Sequence, residues 1–141
     1  MISWESSTFI ARPAEEVFAY VADVRNDPAW HKDVSSATII RGNESIGTGT
    51  VFDVKARVSG TEEVVECVAP HRVVLRGGDM GSVVPTDTRT ITPGDGGVTF
   101  TRHVDLEASG LMGWMTRKMA GTARKRNDRF VENLKNVLET T

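Results

Sequence analysis

Six strand-like segments follow one another between residues 35 and 108, and only short turn sequences separate them. Each segment contains β-branched residues, as VFDVKARV and GVTFTRHVDL illustrate. The intervening sequences GNESIGTG, APH, GGDMGS and PGDGG carry the residue types that favour tight turns. Because strands joined by tight turns pair antiparallel as a meander, this stretch predicts an antiparallel sheet.

Helical periodicity stands on both sides of the meander. The chain begins with the alternating segment SWESSTFI, which predicts a strand, and RPAEEVFAYVADV then changes to a helical period with Pro13 suited to the first position. RNDPAWHKD breaks this helix and allows one short turn of a second. From GLMGWMT onward the helical period continues to the end of the chain. The order predicts an α+β fold with a strand, two short helices, about six more strands and a long helix.

Length, composition and charge limit the class of protein. The chain has 141 residues, of which 39% are hydrophobic and 26% charged, and its net charge at pH 7 is -2. These values fit one globular domain over residues 1–141. No basic field attracts nucleic acid or an anionic membrane. No secretory leader or span-length apolar tract is visible, so we expect a cytoplasmic protein without a stable membrane anchor.

Metal and cofactor sites are not expected. The single cysteine, Cys67, excludes an internal disulfide and a cysteine-rich metal site. His31, His71 and His103 lie far apart without metal-ligand spacing. The glycine-rich sequences stand between strands rather than before a helix, so they are turns and not phosphate loops. We therefore predict no metal and no cofactor.

The elements and their local sequences resemble the START-like (SRPBCC) superfamily, and within it the polyketide cyclase/dehydrase-type branch. The likeness is carried by ARPAEEVFAYVADVRNDPAWH, GTGTVF, VVECVAPHRVVLRG and PGDGGVTFTRHVDL, and it covers essentially the whole chain. The resemblance implies a helix-grip fold, in which a curved antiparallel sheet of about seven strands wraps around the long C-terminal helix. It also implies a cavity between sheet and helix for a hydrophobic small molecule. We expect a monomer or a homodimer.

An arginine interrupts the apolar stripe of the last helix. Helical spacing places Met119, Arg126 and Phe130 on one face, with Met115 and Met112 one and two turns earlier. Arg126 either binds a polar group of a ligand in the cavity, or packs its stem along the stripe while its head reaches solvent. The methionines either fill an irregular core or adapt to a ligand.

A second arginine is predicted to face inward from a strand. In VTFTRHVDL, alternation puts Arg102 on the same face as Phe100 and the neighbouring valines. Arg102 either faces a ligand or forms a salt bridge with a strand carboxylate, Asp87 or Glu66. In cyclase-type members, the resemblance implies that a cavity arginine polarises a polyketide carbonyl or stabilises an enolate. Arg102 and Arg126 are therefore the catalytic candidates.

The remaining candidates surround the predicted cavity. His31 is either a general base near the cavity mouth or a surface histidine, whereas His71 and His103 are expected to be exposed. Met80, between glycines, is a candidate mobile lip. The predicted ligand-binding residues are Trp30, Phe52, Val54, Met80, Arg89, Phe100, Arg102, Met112, Met115, Met119, Arg126 and Phe130.

Three functions remain open at this point. The first is a binding protein for a lipid-like, polyketide-like or aromatic small molecule, which the apolar stripe and the adaptable methionines favour. The second is a polyketide cyclase or dehydratase, which requires an arginine and an acid–base group to meet at one spot. The third is a protein-interaction module, which an exposed apolar patch would favour.

Overall fold

The structure, a computed structural model, describes residues 1–109 and 111–140, and it gives the side chains of all of these except residues 111–118. In this part of the chain, seven strands and three helical segments follow the predicted order. Their bounds are β1 (Ile2–Ile10), α1 (Ala14–Ala22), a 3₁₀ helix (Val24–Ala29), β2 (Val34–Arg41), β3 (Val51–Ala56), β4 (Gly60–Val68), β5 (Arg72–Gly78), β6 (Val83–Gly94), β7 (Gly97–Ala108) and α2 (Leu111–Glu139).

The strands form one antiparallel sheet in the order β1-β7-β6-β5-β4-β3-β2. From β2 to β7, each strand pairs with the next one along the chain. The remaining pair joins β1 to β7, from Ile2 opposite Leu106 to Ile10 opposite Val98. The sheet curves around α2, which packs mainly on β1 and β7. The predicted α+β helix-grip fold is therefore confirmed.

The two short helices cover one end of the sheet. Pro13 is the N-cap of α1, with Glu15 and Glu16 in the first turn, where carboxylates interact well with the helix dipole. Asp23 then leaves helical geometry, and its side chain accepts a hydrogen bond from the backbone N–H of Arg25 at the start of the 3₁₀ helix. This second helix brings Asp27 and Trp30 against the inner face of the sheet, where both are buried.

Strand alternation places the core side chains as expected over most of the sheet. In β7, Phe100, Arg102 and Val104 are all buried, which confirms that this set faces inward. In β3, Phe52 and Val54 are buried, whereas Val58, which would continue the same alternation, is 53% exposed. Val58 lies beyond the end of β3 at Ala56, so the alternation no longer applies to it.

One irregularity changes which side chains of β4 face inward. The register of β4 against β5 shifts between Val64 and Glu66, which marks a bulge. Before the bulge, Glu62 and Val64 share the inner face; after it, Cys67 is the residue that packs against the core. Glu66 consequently turns to the outside and binds Arg72 at 3.2 Å.

Candidate functional site

A cavity lies between the inner face of the sheet and α2, which contributes Met119 to its wall. Its volume is about 320 Å³, at the lower end of the range for small-molecule sites. A second chamber of about 350 Å³ lies against α2 and shares part of the same wall. Most of the wall is apolar and comes from the strands, including Val54, Val83, Pro85, Val104 and Leu106.

Arg102 lies on the cavity wall with its charge already neutralised. Its Nε and one terminal nitrogen donate to the same oxygen of Asp87, at 3.1 and 2.9 Å, and its other terminal nitrogen donates to Asn127 at 2.9 Å. The side chain also donates to Nε2 of His31 at 2.9 Å. Asp87, one of the two partners that the sequence suggested, is therefore the carboxylate that pairs with Arg102, and it also lines the cavity.

Arg89 lies one layer beneath this wall and is completely buried. Its guanidinium donates to both oxygens of Asp27, at 3.0 and 2.7 Å, to Asp87 at 3.0 Å and to the carbonyl of Val21 at 2.9 Å. The ring of Trp30 covers it at 4.9 Å. Arg89 was predicted to bind a ligand, but these partners use its donors, so it ties the 3₁₀ helix to β6 instead.

His31 is a neutral imidazole on the cavity wall. Burial and the nearby Arg102 guanidinium hold its pKa well below the usual range. Because Nε2 accepts a hydrogen bond from Arg102, the ring hydrogen belongs to Nδ1, and that atom is buried without a partner. The ring stacks on Phe130 with centroids 4.5 Å apart. Of the two alternatives for His31, the position near the cavity is the one that the structure favours.

The other two histidines lie outside the site, as predicted. His71 is exposed in the turn before β5. His103 points away from the cavity and contacts Glu5 at 3.2 Å and Asp105 at 2.8 Å. Neither ring can reach a ligand between the sheet and α2.

Glu62 is a cavity residue that the sequence analysis missed. It lines the wall from β4, and its Oε2 is buried without a hydrogen-bond partner. Burial raises the pKa of its carboxyl group to about 8, although Arg89 acts in the opposite direction. The carboxyl group of Glu62 is therefore uncharged at pH 7. The inward side chain of Val64 two residues later was the available signal, since residues i and i+2 share a strand face.

Arg126 lines the second chamber but not the first. Its guanidinium forms an ion pair with Asp33, which lies just before β2, and 35% of the Arg126 side chain is exposed. The guanidinium carbon stands 5.9 Å from the ring centre of Phe130. This arrangement matches the alternative in which the stem follows the stripe and the head reaches the surface, and it joins α2 to the sheet.

Three predicted ligand-binding aromatics belong to the packed core. Trp30, Phe52 and Phe100 are fully buried, and none of them lines either chamber. Trp30 and Phe100 meet edge to face with centroids 6.0 Å apart. The reason is that α1 and the 3₁₀ helix fill this end of the sheet, so no space remains there for a ligand.

The other predicted residues do surround the cavity. Val54 and Met80 line the first chamber, Phe130 lines the second, and Met119, half-exposed on α2, borders both. The Met80 side chain packs directly against the backbone of Gly60, because a Cβ on Gly60 would lie 2.5 Å from the Cγ of Met80. Met112 and Met115 lie outside the residues whose side chains are described.

The described residues carry neither a metal cluster nor a membrane-spanning helix. Within them, no group of three or more His, Cys, Asp or Glu side chains is arranged to hold a metal ion. In the same part of the chain, no helix combines the length and the apolar character needed to cross a bilayer.

Solved structures share this fold at low sequence identity. TTHA0849 from Thermus thermophilus aligns with a TM-score of 0.80 at 17% identity, covering 99% of this chain and 98% of that one. A START superfamily protein from Mycobacterium smegmatis aligns with a TM-score of 0.78 at 16% identity, covering 98% and 97%. The di-domain ARO/CYC BexL from the BE-7585A biosynthetic pathway aligns with a TM-score of 0.69 at 15% identity, covering 98% of this chain and 50% of BexL.

Family membership follows from the sequence itself. No curated protein matches the chain. The solved structures described above have low sequence identity to it, so they support the fold alone. A family model described as polyketide cyclase / dehydrase and lipid transport, however, matches residues 1–139. This match shows that the chain, which has the START-like helix-grip fold, belongs to the polyketide cyclase / dehydrase and lipid transport family.

Proposed function

We propose that this protein binds a largely apolar, uncharged small molecule in the cavity between the sheet and α2. The observation that carries the proposal is the cavity of about 320 Å³, whose wall is mostly apolar. The charged groups deep in this wall are paired with each other, since Arg102 binds Asp87 at 2.9 Å. A charged ligand would lose its hydration there without gaining a free counter-charge, whereas an apolar one would gain from burial.

A cavity-filling substitution tests this proposal. Leu106 lines the cavity from β7, and its neighbour Glu107 is exposed on the opposite face of the same strand. We expect Leu106→Trp to abolish binding of a neutral bicyclic aromatic, measured by isothermal titration calorimetry, while Glu107→Trp binds as the wild type does. Equal binding by both variants would contradict the proposal, because the ligand would then lie elsewhere.

A second candidate function is a cyclase or dehydratase. It is favoured by one observation: Arg102, His31 and Glu62 line the same cavity, so a cation and two proton-carrying groups face one space. Such groups can polarise a carbonyl and move protons beside it. Incubation with a poly-β-ketone thioester tests this role. An enzyme should change the ratio of cyclised products from that of the spontaneous reaction, and His31→Gln should restore the spontaneous ratio.

A further inference from the structure

We propose that Glu62 is the specificity-determining group of this cavity, and that its neutral carboxyl group donates a hydrogen bond to an acceptor oxygen, such as a ketone, of an uncharged ligand. This inference rests on the proposed binding function and names the class of ligand. Ligands of similar shape without an acceptor oxygen should bind more weakly, and so should carboxylates.

The geometry of β4 provides the first argument. Glu62 lies opposite Gly77 of β5 in the sheet register and faces the cavity from the inner side of β4. Its Oε2 is buried and has no hydrogen-bond partner. Buried carboxyl oxygens are normally hydrogen-bonded, because leaving one unpaired is unfavourable. An acceptor oxygen on a bound molecule would supply the partner that the protein does not provide.

The charges around Glu62 provide the second argument. The ionisable groups that act on it are Arg89 and Asp87 from β6, Asp27 from the 3₁₀ helix and Arg102 from β7. These four groups are two cations and two carboxylates, and they form ion pairs with one another. None of the four therefore remains as an unpaired cation for Glu62. Burial therefore dominates and raises the pKa of Glu62 to about 8.

The charge state decides what Glu62 can bind. With its proton in place, the carboxyl group is a hydrogen-bond donor, whereas a carboxylate would only accept. A ketone oxygen only accepts, so it pairs with the neutral form and is repelled by the ionised form. Beside Glu62, where Arg102 and Asp87 already pair, a carboxylate ligand would add an unpaired negative charge, and it should be excluded.

Two probes of nearly equal shape separate this inference from the proposed function. The first probe, 2-acetylnaphthalene, has a ketone oxygen; the second, 2-ethylnaphthalene, has none. Dissociation constants are measured at about pH 6 and about pH 9.5, on either side of the Glu62 titration. The proteins are the wild type, Glu62→Gln, Glu62→Leu and Glu63→Leu; Glu63, the exposed neighbour of Glu62, serves as the control. Circular dichroism confirms folding at both pH values.

The expected result is a preference for the ketone that depends on Glu62. At about pH 6 the wild type and Glu63→Leu should bind the ketone about tenfold more tightly than the hydrocarbon, the effect of one buried hydrogen bond. At about pH 9.5 the wild type should lose this preference. Glu62→Gln should keep it at both pH values because its amide still donates, and Glu62→Leu should lack it at both.

Three results would overturn the inference, and the third would also overturn the proposed function. If both probes bind the wild type equally, or if Glu62→Leu keeps the preference, Glu62 does not select the ligand although the cavity binds apolar molecules. If neither probe binds the wild type, the proposed binding function fails, and the role of Glu62 fails with it.

Discussion

Replacing Glu62 by glutamine should change how the stability of the fold depends on pH. Burial raises the pKa of the Glu62 carboxyl group to about 8 in the folded chain, from an ordinary value of 4.5. Between these values the folded chain keeps a proton that the unfolded chain has released, so the free energy of unfolding falls as pH rises. Below this window Glu62 is protonated in both states, and above it the loss of stability is complete.

The size of the effect follows from the width of the window. Each pH unit lowers the free energy of unfolding by about 1.4 kcal/mol. From pH 4.5 to about pH 8, the full loss is roughly 4–5 kcal/mol. Glutamine has nearly the same shape and does not titrate. Glu62→Gln should therefore gain about 4 kcal/mol in stability relative to the wild type between pH 5 and pH 8.

Urea denaturation at pH values from 5 to 9 measures this difference. Titrating groups far from Glu62 contribute equally to both proteins, and their contributions cancel when the two curves are subtracted. Glu63→Gln, at the exposed neighbouring position, should follow the wild type at every pH. Parallel curves for the wild type and Glu62→Gln would refute the reasoning, because Glu62 would then be ionised in the folded chain throughout.

Three further substitutions test the contacts around the cavity. Arg89→Met leaves Asp27 buried without its cation and leaves Asp87 with Arg102 alone, and it should lower the free energy of unfolding by about 3–5 kcal/mol in urea denaturation. Asp33→Asn removes the partly exposed ion pair with Arg126; calorimetry should show a loss of at most about 1 kcal/mol, which shrinks further in high salt. Gly77→Ala places a Cβ 2.6 Å from the ring of Pro85 and should lower thermal stability by about 1–3 kcal/mol.

The fold was predictable because its signals are local and repeat along the chain. Alternation in β7 placed Arg102 inside, and the turn sequences marked the ends of the meander. The site was less predictable. Glu62 and Val64 share the inner face of β4, but the bulge after Val64 puts Cys67 rather than Glu66 against the core, so simple alternation does not define one face over the whole strand. A bulge depends on the neighbouring strand, and strand-by-strand periodicity does not reveal it.

Contacts between distant segments account for the other differences. Trp30 and Arg89 were both among the residues predicted to bind the ligand. The 3₁₀ helix, however, brings Asp27 within 2.7 Å of Arg89 and seats Trp30 over it at 4.9 Å. The sequence alone did not show how far this short helix extends across the sheet. Its position determines which end of the fold is filled by core side chains and which end contains the cavity.

The two arginines that the sequence made conspicuous are both bound by protein groups. Arg102 donates to Asp87, Asn127 and His31, and Arg126 pairs with Asp33. A ligand that bonded to the Arg102 guanidinium would compete with these partners, and one that bonded to the partly exposed Arg126 would compete with Asp33 and solvent, so little net affinity would result. A bond to an unpartnered buried group replaces no protein contact and satisfies an atom that is otherwise unpaired. Discrimination between ligands should therefore depend more on the neutral groups of the wall than on its cations.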